Sequence, residues 1–219
     1  MGRPVSRRPG VLARGPWRLD QVEAVWREDA YEPPAGRDEM ADGAVAALRE
    51  RGSPSHDGLA TRLVAWDAGE DHLRLALQPV RWALRLLEDA SDSLTALCVV
   101  RSADGRWLAG RRAGWVSSWA GRWALGAGGS VDLGESPAET LTRELQEEWR
   151  LRPDDLRVEA LITLPNGLNM LVGLATVPDD CDPVPDDEHD EWAWWPAQTT
   201  DWPPEADDRL KLMADLLGS

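Results

Sequence analysis

Three carboxylates, Glu144, Glu147 and Glu148, stand close together in the run RELQEEW, directly after Arg143. A helix turns by about 100° per residue, so positions i, i+3 and i+4 share one face. Like charges at this spacing repel by roughly a few tenths of a kcal/mol in water, and by more when partly buried, so the cluster calls for a cation. No thiolate or imidazole accompanies these acids in the run, and an all-oxygen donor set favours Mg²⁺ or Mn²⁺ over zinc. Mg²⁺ usually keeps waters and bridges to substrate phosphates, which points to phosphate chemistry.

A well-specified helix must position these acids. Ser136 suits an N-cap, Pro137 the first helical position, and Glu139 the return half of a capping box. Leu141, Leu145 and Trp149 recur at i, i+4 and i+8, an apolar stripe that can bury against a sheet while the acids face outward. Just upstream, Trp123 to Leu125 reads as a short strand running into Gly126-Ala127-Gly128-Gly129, where the backbone can approach a ligand closely.

Gly129, five residues, Glu135, seven residues, Arg143 through Glu148, two residues and Leu151 together resemble the Nudix box, the signature of the Nudix hydrolases. Arg150 departs from it, standing where the family has a Gly that suits a left-handed helix C-cap. The resemblance implies an α/β fold, a Nudix-type α/β/α sandwich with a mixed sheet. It also implies Mg²⁺- or Mn²⁺-dependent hydrolysis of a diphosphate linkage in a nucleoside diphosphate-linked compound. Glu144, Glu147 and Glu148 would bind the metal, helped by a carbonyl at Gly128. Gly129 and Glu135 are structural members of the box, and Arg143 would orient the carboxylates, Glu135 included. Many members use one further acid from a loop outside the box as ligand or base; Glu188 is the expected one, with Glu191 next. The competing function is a non-catalytic nucleotide or diphosphate sensor acting as a regulator. Such relatives typically lack box carboxylates, whereas this chain keeps all of them.

Between Arg111 and Arg122 the chain mixes Arg112, Trp115, Trp119 and Arg122 with Gly and Ser. Arg112 and Arg122 could pair with phosphate oxygens and Trp119 could stack on a base, which makes them candidate substrate-binding residues. The plainer reading is a loop anchored in the core by Trp119 or Trp123, and for Trp123 that reading is preferred. Pro178 to Glu191 is an acidic loop whose charges read mostly as a solvated face, and His189 within it reads as incidental.

The remaining chain divides into a basic arm (1–16), an N-terminal α+β extension (17–90) and the Nudix-like domain (91–219). The arm is Arg-, Pro- and Gly-rich and expected to be flexible, either a tether to a polyanion or a disordered end. In the extension, Trp17 to Tyr31 and Asp38 to Arg51 read as helices, 62–66 and 73–77 as a hairpin, and 80–88 as a short helix. This unit could complete the sheet, dimerise the protein, shape the pocket or simply support packing. Later strands are expected at 93–101, 106–111, 156–164, 168–177 and 192–196, with a closing helix at 207–217.

A net charge of −15 argues against binding duplex nucleic acid, and 42% hydrophobic residues suffice for a packed core. Two cysteines form no disulfide framework, and no run reaches the length of a membrane span, so a cytoplasmic monomer or homodimer with a small-molecule nucleotide partner is expected.

Overall fold

A computed structural model describes residues 2–5, 8–54 and 57–218 of the chain. Its first half contains β1 (Arg3–Pro4), β2 (Gly10–Arg18), β3 (Val22–Trp26), α1 (Arg37–Glu50), β4 (Leu59–Ala68) and β5 (Leu73–Arg81). There follow β6 (Leu94–Ser102), β7 (Trp107–Arg112), β8 (Trp123–Leu125), β9 (Ala127–Ser130) and α2 (Pro137–Trp149). The chain closes with β10 (Asp155–Thr163), β11 (Asn169–Val177), β12 (His189–Trp195) and α3 (Asp208–Leu217).

The larger sheet is mixed and runs β12-β7-β6-β11-β10-β2, with β8 on β7 and β9 on β6. At its centre β6 and β11 are parallel, and both are apolar on both faces because both faces are covered. The two-residue period sorts β6 cleanly. Leu94, Ala96, Cys98 and Val100 join the core that holds Leu141, Leu145 and Trp149 of α2, while Val99 joins Leu210 and Ala214 of α3. The result is a helix–sheet–helix sandwich of the expected class, and truncating a fully buried Leu141 or Leu145 to Ala costs about 2–5 kcal/mol.

The second sheet, β1-β4-β5-β3, contributes Leu63, Leu73, Leu75 and Leu77 to the same core as α2. Ala41 and Val45 of α1 cover Ala60, Val80, Ala83 and Leu84 beyond it. The hairpin expected at 62–66 and 73–77 is β4–β5, and the expected short helix at 80–88 is a 3-10 turn, Trp82–Leu86. None of the helices among the described residues is long and apolar enough to cross a membrane.

Two expectations are corrected at the N-terminus. Gly10–Arg18 is no flexible arm: it pairs antiparallel with β10, Trp17 opposite Val158 and Ala13 opposite Leu161. Backbone pairing to an open edge is indifferent to the arginines, and Pro16 is tolerated because β2 is the edge strand. Met1, Ser6 and Arg7 of the arm, and Ser219, lie outside the described residues. Nor is Trp17 to Tyr31 a helix. Val22, Ala24 and Trp26 are the more buried positions of β3, a period of two rather than 3.6.

Candidate active site

The acidic helix forms as its caps dictate. Ser136 Oγ accepts from the Ala138 N–H at 3.3 Å, and the Glu139 carboxylate accepts from the Ser136 N–H at 2.9 Å. At the other end Arg150 takes the left-handed conformation, φ 56° and ψ 23°, with its N–H donating to Gln146 O. The acidic loop closes that end: the Val184 N–H donates to Trp149 O and the Asp186 N–H to Glu148 O, both at 2.9 Å. The segment read as a solvated face thus satisfies two of the carbonyls that a helix terminus leaves open.

Burying the stripe pulls part of the acidic face inward. Glu144 is 9% exposed and Glu148 only 3%, whereas Glu147 stays at the surface. Arg143 organises the outer part of the cluster. Its guanidinium donates to Glu135 Oε1 at 2.9 Å, Glu144 Oε1 at 2.7 Å, Glu147 Oε2 at 3.0 Å and Ser130 O at 3.1 Å. Burial raises the Glu135 carboxyl, but the Arg143 guanidinium and the Thr140 hydroxyl together outweigh it and hold the group below its usual range.

Glu148 accepts from the Gly128 N–H at 2.9 Å and sits 3.4 Å from Arg112 Nη1, while Arg112 Nη2 lies 2.8 Å from Glu188 Oε2. His189 is buried and belongs to β12. Its ring stacks on Trp149 with centroids 4.4 Å apart, its Nδ1 lies 3.2 Å from Asp186, and its Nε2 stands 3.6 Å from Glu148 without a hydrogen-bond partner among the described residues. Gly110 makes the stack possible, since a Cβ there would lie 2.4 Å from the imidazole. Glu191 pairs instead with Arg111 at 2.7 Å.

Burial pushes Glu144 up to about 7 against the pull of Arg143, with Glu147 and Glu188 adding repulsion. Burial raises Glu148 too, against Arg112 and the Gly128 N–H, and Glu144 and Glu188 push it further. Two buried acids that destabilise each other's charged forms suit a divalent cation, and their donors are all oxygen, which suits a hard one. The absence of a Cβ at Gly129 lets the Glu144 carboxylate lie against the backbone. Among the described residues, no three acidic, His or Cys side chains are gathered in metal-holding geometry; the arginines hold the carboxylates in that place.

Arg112, Gly128, Gly129, Arg143, Glu144, Glu147 and Glu188 line a cleft of about 320 Å³ shared with Trp82, Arg85, Trp115 and Ser118, while Glu148 lies behind Gly128, outside the lining. Arg112 and Glu188 are brought into it as expected, but Trp119 and Arg122 are not. Trp119 packs into the α3 core with the Arg209 guanidinium 5.3 Å above its ring, and Arg122 is exposed near the charge of Asp207. Trp115, from the same stretch, is the indole that reaches the cleft. Trp82 and Arg85 carry no local signal, because RWALRLL reads as packing and only the tertiary fold turns it toward the acids.

The family model described as NUDIX domain matches residues 92–216. A comparison with curated proteins gives no match. Among solved structures, a protein of Deinococcus radiodurans is similar at 18% identity, covering 57% of this chain and 82% of its own, with a TM-score of 0.47. The MutT protein of Methanosarcina mazei Go1 is similar at 22% identity, over 57% of this chain and 90% of its own, with a TM-score of 0.42. The NUDIX domain of Shewanella oneidensis NrtR, complexed with ADP ribose, is similar at 17% identity, over 57% and 86%, with a TM-score of 0.44. Because the segment matched by the domain model, residues 92–216, takes in more than half of the 219 residues and the whole of α2, the chain belongs to the Nudix family.

Proposed function

We propose that the protein uses Mg²⁺ or Mn²⁺ to hydrolyse the phosphoanhydride bond of a nucleoside diphosphate-linked compound. One observation carries this reading. Glu144 is buried in the wall of a cleft of about 320 Å³, within the size range of small-ligand sites, and the buried Glu148 lies just behind that wall, bonded to the N–H of cleft-lining Gly128.

Glu144 and Glu148, with Glu147 at the mouth and the backbone at Gly128, are the residues that would hold the ion. When bound, the divalent ion supplies Lewis acidity at the phosphoryl oxygens and neutralises charge as the bridging oxygen leaves. Arg143 keeps Glu144 and Glu147 in register through bonds of 2.7 and 3.0 Å. Glu188, partly exposed beside Arg112, accepts the proton of the attacking water. The water oxygen bonds to phosphorus, the P–O bridge breaks, and two phosphate monoesters leave. Trp115 offers a face for a base, and the hydroxyls of Ser117 and Ser118 line the same wall.

A panel of nucleoside diphosphate sugars, ADP-ribose and dinucleoside polyphosphates, assayed for monophosphate release with and without Mg²⁺, tests the reading. Turnover should be Mg²⁺-dependent and fall by orders of magnitude in Glu147→Gln and Glu148→Gln with the fold retained. Near-normal turnover in both variants contradicts the ion-holding role. Saturable binding with no turnover of any compound favours the regulatory alternative.

A further inference from the structure

The wall of the cleft opposite the acidic helix comes from the N-terminal unit. Gly58 and, from β4, Leu59 and Ala60 enter it, as do Trp82 and Arg85 from the 3-10 turn that follows β5. That turn is rigidly seated, because Ala83 and Leu84 between the two side chains are fully buried against α1. The unit also grips the segment entering the box, since the Thr61 hydroxyl donates to Val131 O at 2.8 Å and Arg85 Nη1 donates to the Ser130 hydroxyl.

Arg85 differs from the other two arginines of the cleft and from the partly buried arginines of the N-terminal unit. Arg37, Arg62, Arg81, Arg112 and Arg143 each face at least one carboxylate. Among the described residues no carboxylate lies within ion-pair distance of Arg85, and its protein hydrogen bond goes to a neutral hydroxyl. Burial and the neighbouring Arg112 disfavour its charge, Glu144 and Glu188 offset part of this from beyond contact distance, and a guanidinium stays protonated in proteins. Its plane is braced by the Trp82 ring, 5.6 Å from the guanidinium carbon. Of the cleft's three arginines, two are committed to carboxylates, and the third keeps most of its five donors unspent.

We propose that Arg85 binds a phosphate oxygen of the substrate diphosphate, with Trp82 holding its guanidinium in place, so that the N-terminal unit supplies part of the substrate site. This rests on the reading of the cleft as a diphosphate site. A planar fork matched to phosphate oxygens suits this position, and an anion arriving there meets a desolvated cation that no carboxylate pairs with directly among the described residues.

Calorimetric titration of the full chain with α,β-methylene-ADP, whose P–C–P bridge resists hydrolysis, and with inorganic pyrophosphate, tests it in the presence of Mg²⁺. Arg85→Gln should weaken both probes by about tenfold or more, the effect of losing a charge-assisted bond. Arg85→Lys should recover part of that loss, as a charge without the fork, and Trp82→Leu should weaken both probes severalfold. Melting temperatures close to wild type separate this from a packing role. Unchanged dissociation constants in a folded Arg85→Gln protein overturn the proposal, as does failure of the wild type to bind either probe. If Arg85→Gln does not fold, Arg85→Lys decides, and wild-type affinity there overturns the proposal. Binding of methylene-ADP without turnover of any substrate defeats hydrolysis and leaves Arg85 standing; turnover with an unmoved KM in Arg85→Gln defeats Arg85 alone.

Discussion

Adding one methyl group at Gly129 tests whether the position of Glu144 matters to the chemistry. A Cβ there would lie 2.1 Å from Glu144 Oε1 and 2.4 Å from its Cδ, while ordinary contact starts at 3.4 Å, so the carboxylate must retreat by about 1.3 Å (3.4 minus 2.1). The obstacle is the far end of a side chain rather than backbone, so the fold can absorb the change. The site cannot, because Glu144 is nearly buried and tied to Arg143 at 2.7 Å. A misplacement of about 1 Å costs roughly a hundredfold in rate, about 2.7 kcal/mol of barrier. Gly129→Ala should therefore lose about a hundredfold in kcat/KM, raise the Mg²⁺ concentration needed for half-maximal rate and shift the melting temperature little. Gly43→Ala, in the exposed interior of α1 with open space around it, serves as the control. It should keep full activity and gain about 0.5–1 kcal/mol in stability. A Gly129→Ala enzyme with wild-type turnover and Mg²⁺ dependence refutes the reasoning.

Three other outcomes follow from the same geometry. Arg150→Gly should stabilise the protein by about 1 kcal/mol, because a residue with a Cβ pays for the left-handed conformation at φ 56°; thermal unfolding checks it, and a loss of stability contradicts it. Arg143→Gln should weaken Mg²⁺ by about 10–100-fold through loss of the group that aligns three carboxylates, with an unmoved titration midpoint as the contrary result. Burial lifts Glu144 from 4.5 to about 7 and Glu148 in the same direction, so the native ion-free protein binds more protons than the unfolded chain above the ordinary carboxylate range. Its stability should fall as pH rises from about 4.5 through about 7, and stabilisation by Mg²⁺ should grow over the same interval as the ion displaces those protons. Melting curves with and without Mg²⁺ across that range check the sign, and a Mg²⁺ effect that shrinks toward neutral pH contradicts it.

Much of the fold was legible because its signals are local. The caps of α2, the turns that join 62–66 to 73–77 and 156–164 to 168–177, and the apolar runs of β6 and β11 each declare themselves within a dozen residues. Strand β2 did not, because an arginine-rich segment reads as solvated, and what orders it is a sheet edge contributed by β10, more than a hundred residues later. The acid cluster and Arg143 were readable from spacing, whereas the choice among the loop tryptophans was not. Trp115 and Trp119 differ by one helical turn in sequence but by opposite sides of the sheet in space, and nothing in their composition separates them. His189 went unrecognised for a similar reason: its partners Trp149 and Asp186 meet it only when the acidic loop folds back over the end of α2.

The central claim, that the buried box carboxylates hold a divalent ion, is tested most directly by anomalous diffraction from a crystal soaked in Mn²⁺. The account predicts a peak between Glu144 and Glu148, beside Gly128, with Arg112 drawn back from its 3.4 Å contact with Glu148. A crystal in which Glu148 keeps that contact and the manganese lies elsewhere, or nowhere, contradicts it.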